Sequence, residues 1–336
     1  MDGNFIDSIS AFIGVGNMTS ALTFLHMSAV VPTRNRAKAL ALTLDSLLKQ
    51  NVLPRELIVV DGSEDDQTRL VVESFSQRSM GVCTVKYLRT DVLGAAVQRN
   101  QGVAVATKPV IWFFDDDILF EPECVPRLWA ALHSAEDVGG VNAMITNQCY
   151  QPPGRISRFM FRLMGGQGSS FSGRVLGPAV NLLPEDRAEL PEIVPVEWLN
   201  TTCTMYRREA LPEPPFPAHF TGYSLMEDVT LSVIVGRKWK LANARTARIF
   251  HDSQPGSHKS DPAELAAMEL VNRHYVMTHI LRRRRLQDYF RLFLWEAFQL
   301  VAASAQPDSR RQIFSILRGK GMAMIRLLRP ISKLPV

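Results

Sequence analysis

Short apolar runs recur along the first 120 residues of the chain. They lie at residues 29–31, 57–60, 82–88 and 110–114, and each is brief enough to be a buried strand. The segments that separate them are polar or have helical spacing. This pattern predicts four strands, with one helix in each interval.

The intervals show the helical period. Leu40, Leu44, Leu47 and Leu48 share one face of the first helix. Two more helices are predicted at residues 64–77, with Leu70, Val71 and Phe75 turned inward, and at residues 95–106. Strands that alternate with helices predict an α/β fold whose sheet is mostly parallel and covered by helices on both faces.

Polar residues follow three of these strands directly. Pro32, Thr33, Arg34, Asn35 and Arg36 come after the first strand. Asp61 ends the second, and Asp115, Asp116 and Asp117 end the fourth. Ligands of open parallel sheets bind beyond the carboxyl ends of the strands. The sequence therefore predicts one binding site formed by these residues.

The remainder of the chain is less regular. A strand is predicted at residues 202–206 and a helix at 227–235, with a flexible Gly/Ser-rich loop at 165–177 and a proline-dense segment at 212–217. Residues 286–303 and 313–328 have amphipathic patterns interrupted by charge, which are typical of surface helices.

The acidic triplet indicates a cation site. Asp115 and Asp117 are two residues apart at a strand end, so both side chains can point to the same side. Carboxylate oxygens are suitable ligands for Mg²⁺ or Mn²⁺, which often bind substrate phosphates as well. The alternative is an acidic turn before a helix that begins near Pro122.

Composition limits the other possibilities. The 336 residues are sufficient for one large α/β domain or two smaller ones, and 46% of them are hydrophobic. Four scattered cysteines, without a CxxC pair, are expected to be buried thiols rather than zinc ligands or disulfides. No run is apolar enough to span a bilayer, and Asp2 and Asp7 do not suit a signal peptide. A cytoplasmic location is expected.

The whole chain has a net charge of +5, and its positive charge is concentrated towards its end. The run Arg282 to Arg285 precedes the two amphipathic segments, a combination that favours contact with anionic lipid headgroups. The alternatives are a helical pair packed on the core and a dimer contact. Nucleic acid is not expected as a partner, because aromatic and basic recognition motifs are lacking.

One motif near the N-terminus suggests a different chemistry. Gly14 and Gly16 could form the turn under a dinucleotide pyrophosphate, as in an NAD(P)-dependent oxidoreductase. Thr19 replaces the third small residue, and the next strand lacks the expected acid at its end. An alternative is that residues 1–27 are a leader outside the fold, with Met27 as the natural start.

Several segments, in order, resemble family 2 glycosyltransferases of the GT-A fold, which are inverting enzymes that use nucleotide-sugar donors. The resemblance covers most of residues 28–258. It rests on these segments: VVPTRNR, LIVVDGSEDD, LGAAVQRNQGVAVA, WFFDDD, EWLNTTCTMYRREAL and LMEDVTLS.

The resemblance implies a Rossmann-like GT-A fold and roles for individual residues. The donor would be bound by these residues: Pro32, Thr33, Arg34, Arg36, Asp61, Gly94, Arg99, Asp115 and Asp116. Asp115, Asp117 and His251 would bind Mn²⁺ or Mg²⁺. Asp228 would be the general base, and Glu227 and Trp198 would contact the acceptor. Glu227 and Asp228 could instead be ordinary first-turn acids, and His251 and Trp198 structural residues. His258 and Lys259 could touch the diphosphate.

The sequence thus predicts a catalytic domain at residues 28–260 and a basic helical tail at 261–336. The predicted function is transfer of a sugar from a nucleotide-diphosphate donor to a glycan or lipid-linked acceptor in polysaccharide or cell-envelope biosynthesis, on the inner face of the cell membrane. A sugar-phosphate nucleotidyltransferase is one alternative, although 32–36 lacks the glycines of its phosphate loop. A degenerate sugar-nucleotide-binding scaffold is another.

Overall fold

The computed structural model describes residues 23–79, 83–253, 261–305 and 310–328. The strands of these residues are β1 (Thr23–Thr33), β2 (Val52–Asp61), β3 (Thr84–Arg89), β4 (Val110–Phe114), β5 (Ile118–Phe120), β6 (Val138–Ile145), β7 (Val175–Leu176), β8 (Val180–Asn181), β9 (Ile193–Pro195), β10 (Cys203–Arg207) and β11 (Lys240–His251). The four strands predicted in the first 120 residues are confirmed, and β1 begins before Met27.

The α-helices of the described residues are α1 (Ala37–Leu48), α2 (Gln67–Arg78), α3 (Ala95–Val105), α4 (Cys124–Leu132), α5 (Arg155–Leu163), α6 (Glu227–Val235), α7 (Pro262–Tyr275), α8 (Leu286–Ala305) and α9 (Ile313–Leu328). A π-helical turn, Val276–Ile280, continues α7. The helices predicted from the sequence are confirmed. In α2, Phe75 is buried as predicted, but Leu70 is exposed, Val71 is only partly buried and Val72 is buried instead.

Nine of the described strands form one sheet in the order β3-β2-β1-β4-β10-β6-β11-β5, with β9 also paired to β11. The pairs among β1, β2, β3 and β4 are parallel, and β6 is parallel to β11. Because β10 is antiparallel to both β4 and β6, six strands point the same way. The sheet is therefore mostly parallel, as the apolar runs predict.

Two apolar cores lie on the faces of this sheet. Alternate side chains of β4 point to opposite faces, so that Trp112 and Phe114 join the core under α1, α2 and α4. Ile111 and Phe113 join the other core, under α3 and α6. Because β1, β2, β4, β6 and β11 point the same way, their carboxyl ends lie at the same edge of the sheet.

The C-terminal helices pack on the rest of the protein. Asn272 of α7 donates to the Leu225 carbonyl over 2.8 Å, and Arg273 donates to the Ala179 carbonyl over 2.8 Å. A Cβ at Gly319 of α9 would lie 2.1 Å from the Ala263 carbonyl oxygen, so α9 crosses α7 in close contact. Among the described helices, none is long and apolar enough to cross a bilayer.

Candidate active site

A cleft of about 630 Å³ lies at the sheet edge where the parallel strands end. Its lining includes the polar residues predicted after the first and fourth strands and further predicted site residues: Pro32, Thr33, Arg34, Arg36, Gly94, Arg99, Asp115, Asp116, Asp117, Glu227, Asp228 and His251. The fold thus brings together residues that are up to 219 positions apart in the chain, from Pro32 to His251. They converge because the ends of β1, β4 and β11 and the N-terminal parts of α3 and α6 meet at this edge of the sheet.

Asp115, Asp117 and His251 form a cluster of possible metal ligands. Each offers one ligand atom, and these atoms lie within 4.8 Å of one another. The pairing of β5 with β11 sets Ile118 opposite His251, which places the imidazole beside the end of the triplet. His251 Nε2 lies 3.2 Å from Asp117 Oδ1. Two carboxylates and one imidazole match the ligand preferences of Mn²⁺.

Two arginines neutralise part of the negative charge. Arg36 donates to Asp116 over 3.1 Å and to Asp117 Oδ2 over 3.0 Å. Arg99 donates to Asp115 Oδ1 over 2.7 Å. Each arginine bonds to one oxygen of a candidate ligand, Asp115 or Asp117, and His251 completes the cluster. The donor set therefore fits a single divalent ion.

Asp116 has a different environment from its two neighbours. Its carboxylate is buried, accepts a hydrogen bond from Thr33 Oγ1 over 2.6 Å, and pairs with Arg36. Burial raises the pKa of Asp116 to about 7, and the charge of Arg36 opposes that rise. The Asp116 backbone carbonyl also accepts from Thr43 of α1. These contacts fix the triplet to β1 and α1.

Glu227 and Asp228 form the first turn of α6 and face the same cleft. Arg99 donates to Glu227 Oε1 over 3.2 Å, and Asp228 Oδ1 accepts from the Val229 backbone N–H over 2.7 Å. Burial raises the pKa of both carboxyls, and for Glu227 the charge of Asp228 adds to this effect. A carboxylate with a raised pKa in a cleft is suited to accept a proton.

Gly94 is required by backbone geometry. Its φ of 141° is strained for residues with a Cβ, and a Cβ here would lie 3.0 Å from the Gly222 nitrogen. The two glycines form an isolated bridge that brings the N-terminus of α3 against residues 221–226. This approach closes one side of the cleft.

Two predicted site residues do not line the cleft. Asp61 is fully buried, and its carboxylate accepts from the Ser63 N–H and the Tyr87 hydroxyl, each over 2.8 Å. Trp198 lies in the core, where its indole donates to the Leu182 carbonyl over 2.8 Å. Trp198 thus lies outside the lining of this cleft, and its contact with an acceptor stays a prediction.

The remaining predictions concern residues that lie outside the described part of the chain or away from the cleft. Gly14, Gly16, His258 and Lys259 fall outside the described residues. Residues 165–177, expected to be a flexible loop on the acceptor side, do not line this cleft. Of the described cysteines, Cys83, Cys124 and Cys203 are buried and Cys149 is partly exposed.

Sequence reasoning missed Gln148 and Tyr223, which also line the cleft. The Gln148 amide hydrogen-bonds with His251 Nδ1 over 3.1 Å and so orients the imidazole. Gln148 follows β6, whose position beside β11 depends on long-range pairing. For Tyr223, the signal available in the sequence was its place between Gly222 and the Glu227-Asp228 pair.

The comparison with protein families identifies the chain. The model of glycosyl transferase family 2 matches residues 28–213, more than half of the sequence. The chain belongs to this family. The match covers the second half of β1, the acidic triplet and β10, so the resemblance drawn from the sequence motifs is confirmed.

Similar proteins include two curated glycosyltransferases. Validoxylamine A glucosyltransferase of Streptomyces hygroscopicus subsp. limoneus is 36% identical over 109 residues, which are 31% of this chain and 23% of that protein. A PGL/p-HBAD biosynthesis glycosyltransferase of Mycobacterium bovis is 30% identical over 140 residues, or 40% of this chain and 54% of that one. The chain thus spans only about a quarter to a half of these relatives.

Among solved structures, the mannosyltransferase PcManGT from Pyrobaculum calidifontis, in complex with GDP-Man and Mn²⁺, aligns with a TM-score of 0.56. The alignment covers 96% of this chain and 93% of that one, at 13% sequence identity. At this identity the similarity shows the fold alone. It confirms the GT-A fold that the family resemblance implies.

Proposed function

We propose that the protein is a metal-dependent inverting glycosyltransferase that moves a sugar from a nucleotide-diphosphate donor to a glycan or lipid-linked acceptor. The observation that carries the proposal is one cleft that contains the Asp115, Asp117 and His251 cluster and the Asp228 carboxylate. Family membership supports the reaction class. We place this reaction in cell-envelope or polysaccharide biosynthesis; the name of one relative, a PGL/p-HBAD biosynthesis glycosyltransferase, is compatible with a biosynthetic role.

Asp115, Asp117 and His251 would hold Mn²⁺ or Mg²⁺. The bound ion would supply Lewis-acid neutralisation of charge on the leaving nucleoside diphosphate. Arg36 and Arg34, at the end of β1, add positive charge beside this position. Pro32, Thr33 and Gly94 line the same cleft. Asp61 would act on the nucleotide indirectly, because it accepts a hydrogen bond from the Ser63 N–H and so fixes the loop after β2.

Asp228 would remove the proton of the acceptor hydroxyl. A sugar hydroxyl is a weak nucleophile until a base within hydrogen-bond reach accepts its proton. Attack on the anomeric carbon from the side opposite the diphosphate then inverts its configuration in one displacement. Glu227, fixed by Arg99, would contact the acceptor beside Asp228.

Residues 28–260 are proposed to be the catalytic part and residues 261–336 the helical tail. The protein is proposed to act in the cytoplasm, as a peripheral protein of the inner membrane face. The predicted role of the tail in membrane contact needs revision in one respect. Lys320 pairs with Glu269 and Glu296, and Arg326 with Glu264, so these basic residues of α9 stabilise the helical packing.

The test is turnover of a panel of nucleotide sugars with Mn²⁺, using the wild type, Asp228→Asn and the control Asp45→Asn. Asp45 is a partly exposed aspartate of α1 that pairs with Arg78. The control makes the same aspartate-to-asparagine change as Asp228→Asn, but outside the cleft. We expect Asp228→Asn to lower kcat about 100-fold to 10,000-fold, with donor binding retained. Equal turnover of Asp228→Asn and the wild type would remove Asp228 as the base.

A further inference from the structure

Helix α5 presents an exposed face that is both apolar and basic. Ile156, Phe159 and Leu163 follow one another at helical spacing, and Ile156 is 75% exposed and Phe159 61%. Arg155, Arg158 and Arg162 are interleaved with them and are also exposed. The helix contains no acidic residue. Such a helix is typical of a segment that lies in the plane of a membrane surface.

Helix α8 extends this surface. Phe161 of α5 and Trp295 of α8 share an apolar cluster, and their ring centroids are 6.2 Å apart. On the outer side of α8, Leu286, Phe290 and Phe293 are exposed at helical spacing. The inner sides of the two helices are therefore packed together, while each leaves a row of large apolar side chains in contact with water.

A second cavity, of about 500 Å³, lies where α5 ends and α8 begins. It shares no lining residue with the candidate active site. Five arginines line it: Arg174, Arg282, Arg283, Arg285 and Arg291. The two acids in its lining are already engaged, since Glu197 pairs with Arg174 and Asp288 accepts from the Arg285 backbone N–H.

Most of the positive charge around this cavity is not compensated. Within the part of the chain that the structure describes, no carboxylate forms an ion pair with any of these arginines: Arg155, Arg158, Arg162, Arg282, Arg285 and Arg291. Burial lowers the pKa of Arg283; the charge of Asp288 opposes this shift, and the charge of Arg291 adds to it. By contrast, Lys320 and Arg326 of α9 are paired with acids. Six arginines without an ion pair to a described carboxylate thus lie on α5 and around this cavity.

We propose that α5, the N-terminal half of α8 and the arginine-lined cavity form a docking surface for an anionic phospholipid bilayer. Headgroup phosphates would bind the guanidinium groups, which suit them as bidentate donors. Phe159, Phe290 and Phe293 would enter the boundary of the acyl chains. This inference is independent of the proposed transfer chemistry.

Charge complementarity favours a bilayer over a second copy of the chain. A two-fold dimer through this surface would place the same arginines of both copies against each other, because an isologous contact pairs a patch with itself. An anionic membrane carries many phosphates at a flat surface and can contact all of the arginines together. Each basic residue near such a surface strengthens binding several-fold.

The test is flotation of the full chain with vesicles of phosphatidylcholine alone and of phosphatidylcholine mixed with phosphatidylglycerol. We expect binding to the mixed vesicles only, weakened by added salt. Arg158→Glu with Arg291→Glu should lower the partition coefficient roughly 30-fold or more. Phe159→Ser with Phe293→Ser should also lower it. The control variant, Lys49→Glu with Arg69→Glu, reverses two exposed charges, one directly after α1 and one on α2. It should bind vesicles almost as the wild type does.

Thermal unfolding confirms that each variant is folded before its binding is compared. The proposal is overturned if the chain binds neither kind of vesicle, or binds both equally. It is also overturned if the control pair loses as much binding as Arg158→Glu with Arg291→Glu. A dimer in sedimentation that is dissociated by Phe159→Ser with Phe293→Ser, without vesicle binding by the wild type, would assign the surface to a second copy.

Discussion

The guanidinium of Arg99 donates to Asp115 Oδ1 over 2.7 Å from an almost completely buried position. Its other terminal nitrogen reaches Glu227 Oε1 at 3.2 Å. Arg99 therefore links the candidate metal cluster at the end of β4 to the first turn of α6. A planar guanidinium can join two carboxylates in this way, whereas an ammonium is a point charge.

Arg99→Met should lower the free energy of unfolding by about 3–5 kcal/mol, because it leaves two carboxylates without their buried partner. Arg99→Lys keeps the charge but not the geometry, and we expect smaller destabilisation with roughly 10-fold to 100-fold lower turnover. Chemical denaturation and steady-state rates measure the two effects. Arg69→Lys, at an exposed pair with Glu73, is the control and should change neither. Wild-type turnover by Arg99→Lys would contradict the bridging role.

The rate of transfer should depend on the protonation of Asp228. A general base works only when deprotonated, so the rate falls as pH decreases through its pKa. Burial raises that pKa from 3.8 to about 6. We expect the acid limb of a kcat profile near pH 6. Binding of the nucleoside diphosphate, followed at the same pH values, is the control. An acid limb near pH 4, with diphosphate binding unchanged, would show that no buried carboxylate acts as the base.

Asn272 connects α7 to the cleft. Its amide donates to the carbonyl of Leu225, a residue of the cleft lining, and its oxygen lies 3.1 Å from His219 Nε2. Asn272→Ala should lower the free energy of unfolding by about 1–3 kcal/mol, because a buried carbonyl loses its donor, and should lower turnover. Asn51→Ala removes an exposed bond to Glu123 and should have little effect on either. Equal effects of the two substitutions would argue against this support of the cleft.

Gly102 allows α3 to pack against β1. A Cβ at this position would lie 2.4 Å from Cγ1 of Val30, a fully buried side chain. Gly102→Ala should therefore lower the free energy of unfolding by about 1–3 kcal/mol, measured by denaturant titration. Gly154→Ala adds the same methyl group where nothing lies within 4 Å, and its φ of −61° suits alanine. Destabilisation of the same size in both variants would contradict the packing explanation.

Local patterns in the sequence are sufficient to predict the parallel strands β1 to β4. Short apolar runs followed by polar residues predict that Thr33, Asp115 and Asp117 lie at one edge of the sheet. That inference needs only the rule that parallel strands end at the same side. The assignment of His251 came from the family resemblance, and its position beside Asp117 follows from the pairing of β5 with β11.

Long-range packing determined what the sequence did not predict. The antiparallel insertion of β10 between β4 and β6 sets the position of Gln148, which follows β6, and no local period encodes that strand order. Burial of Trp198 depends on side chains from distant segments in the same core. The basic and apolar face of α5 did have a local signal, since its arginines recur at helical spacing.

The most direct test of the central claim is the change in melting temperature caused by nucleoside diphosphates with and without Mn²⁺, for the wild type and Asp117→Asn. A ligand that binds only the folded state raises the melting temperature. The account predicts stabilisation of the wild type by one nucleoside diphosphate only when Mn²⁺ is present, and loss of that stabilisation in Asp117→Asn. Equal stabilisation of both proteins, or stabilisation that does not depend on Mn²⁺, would contradict it.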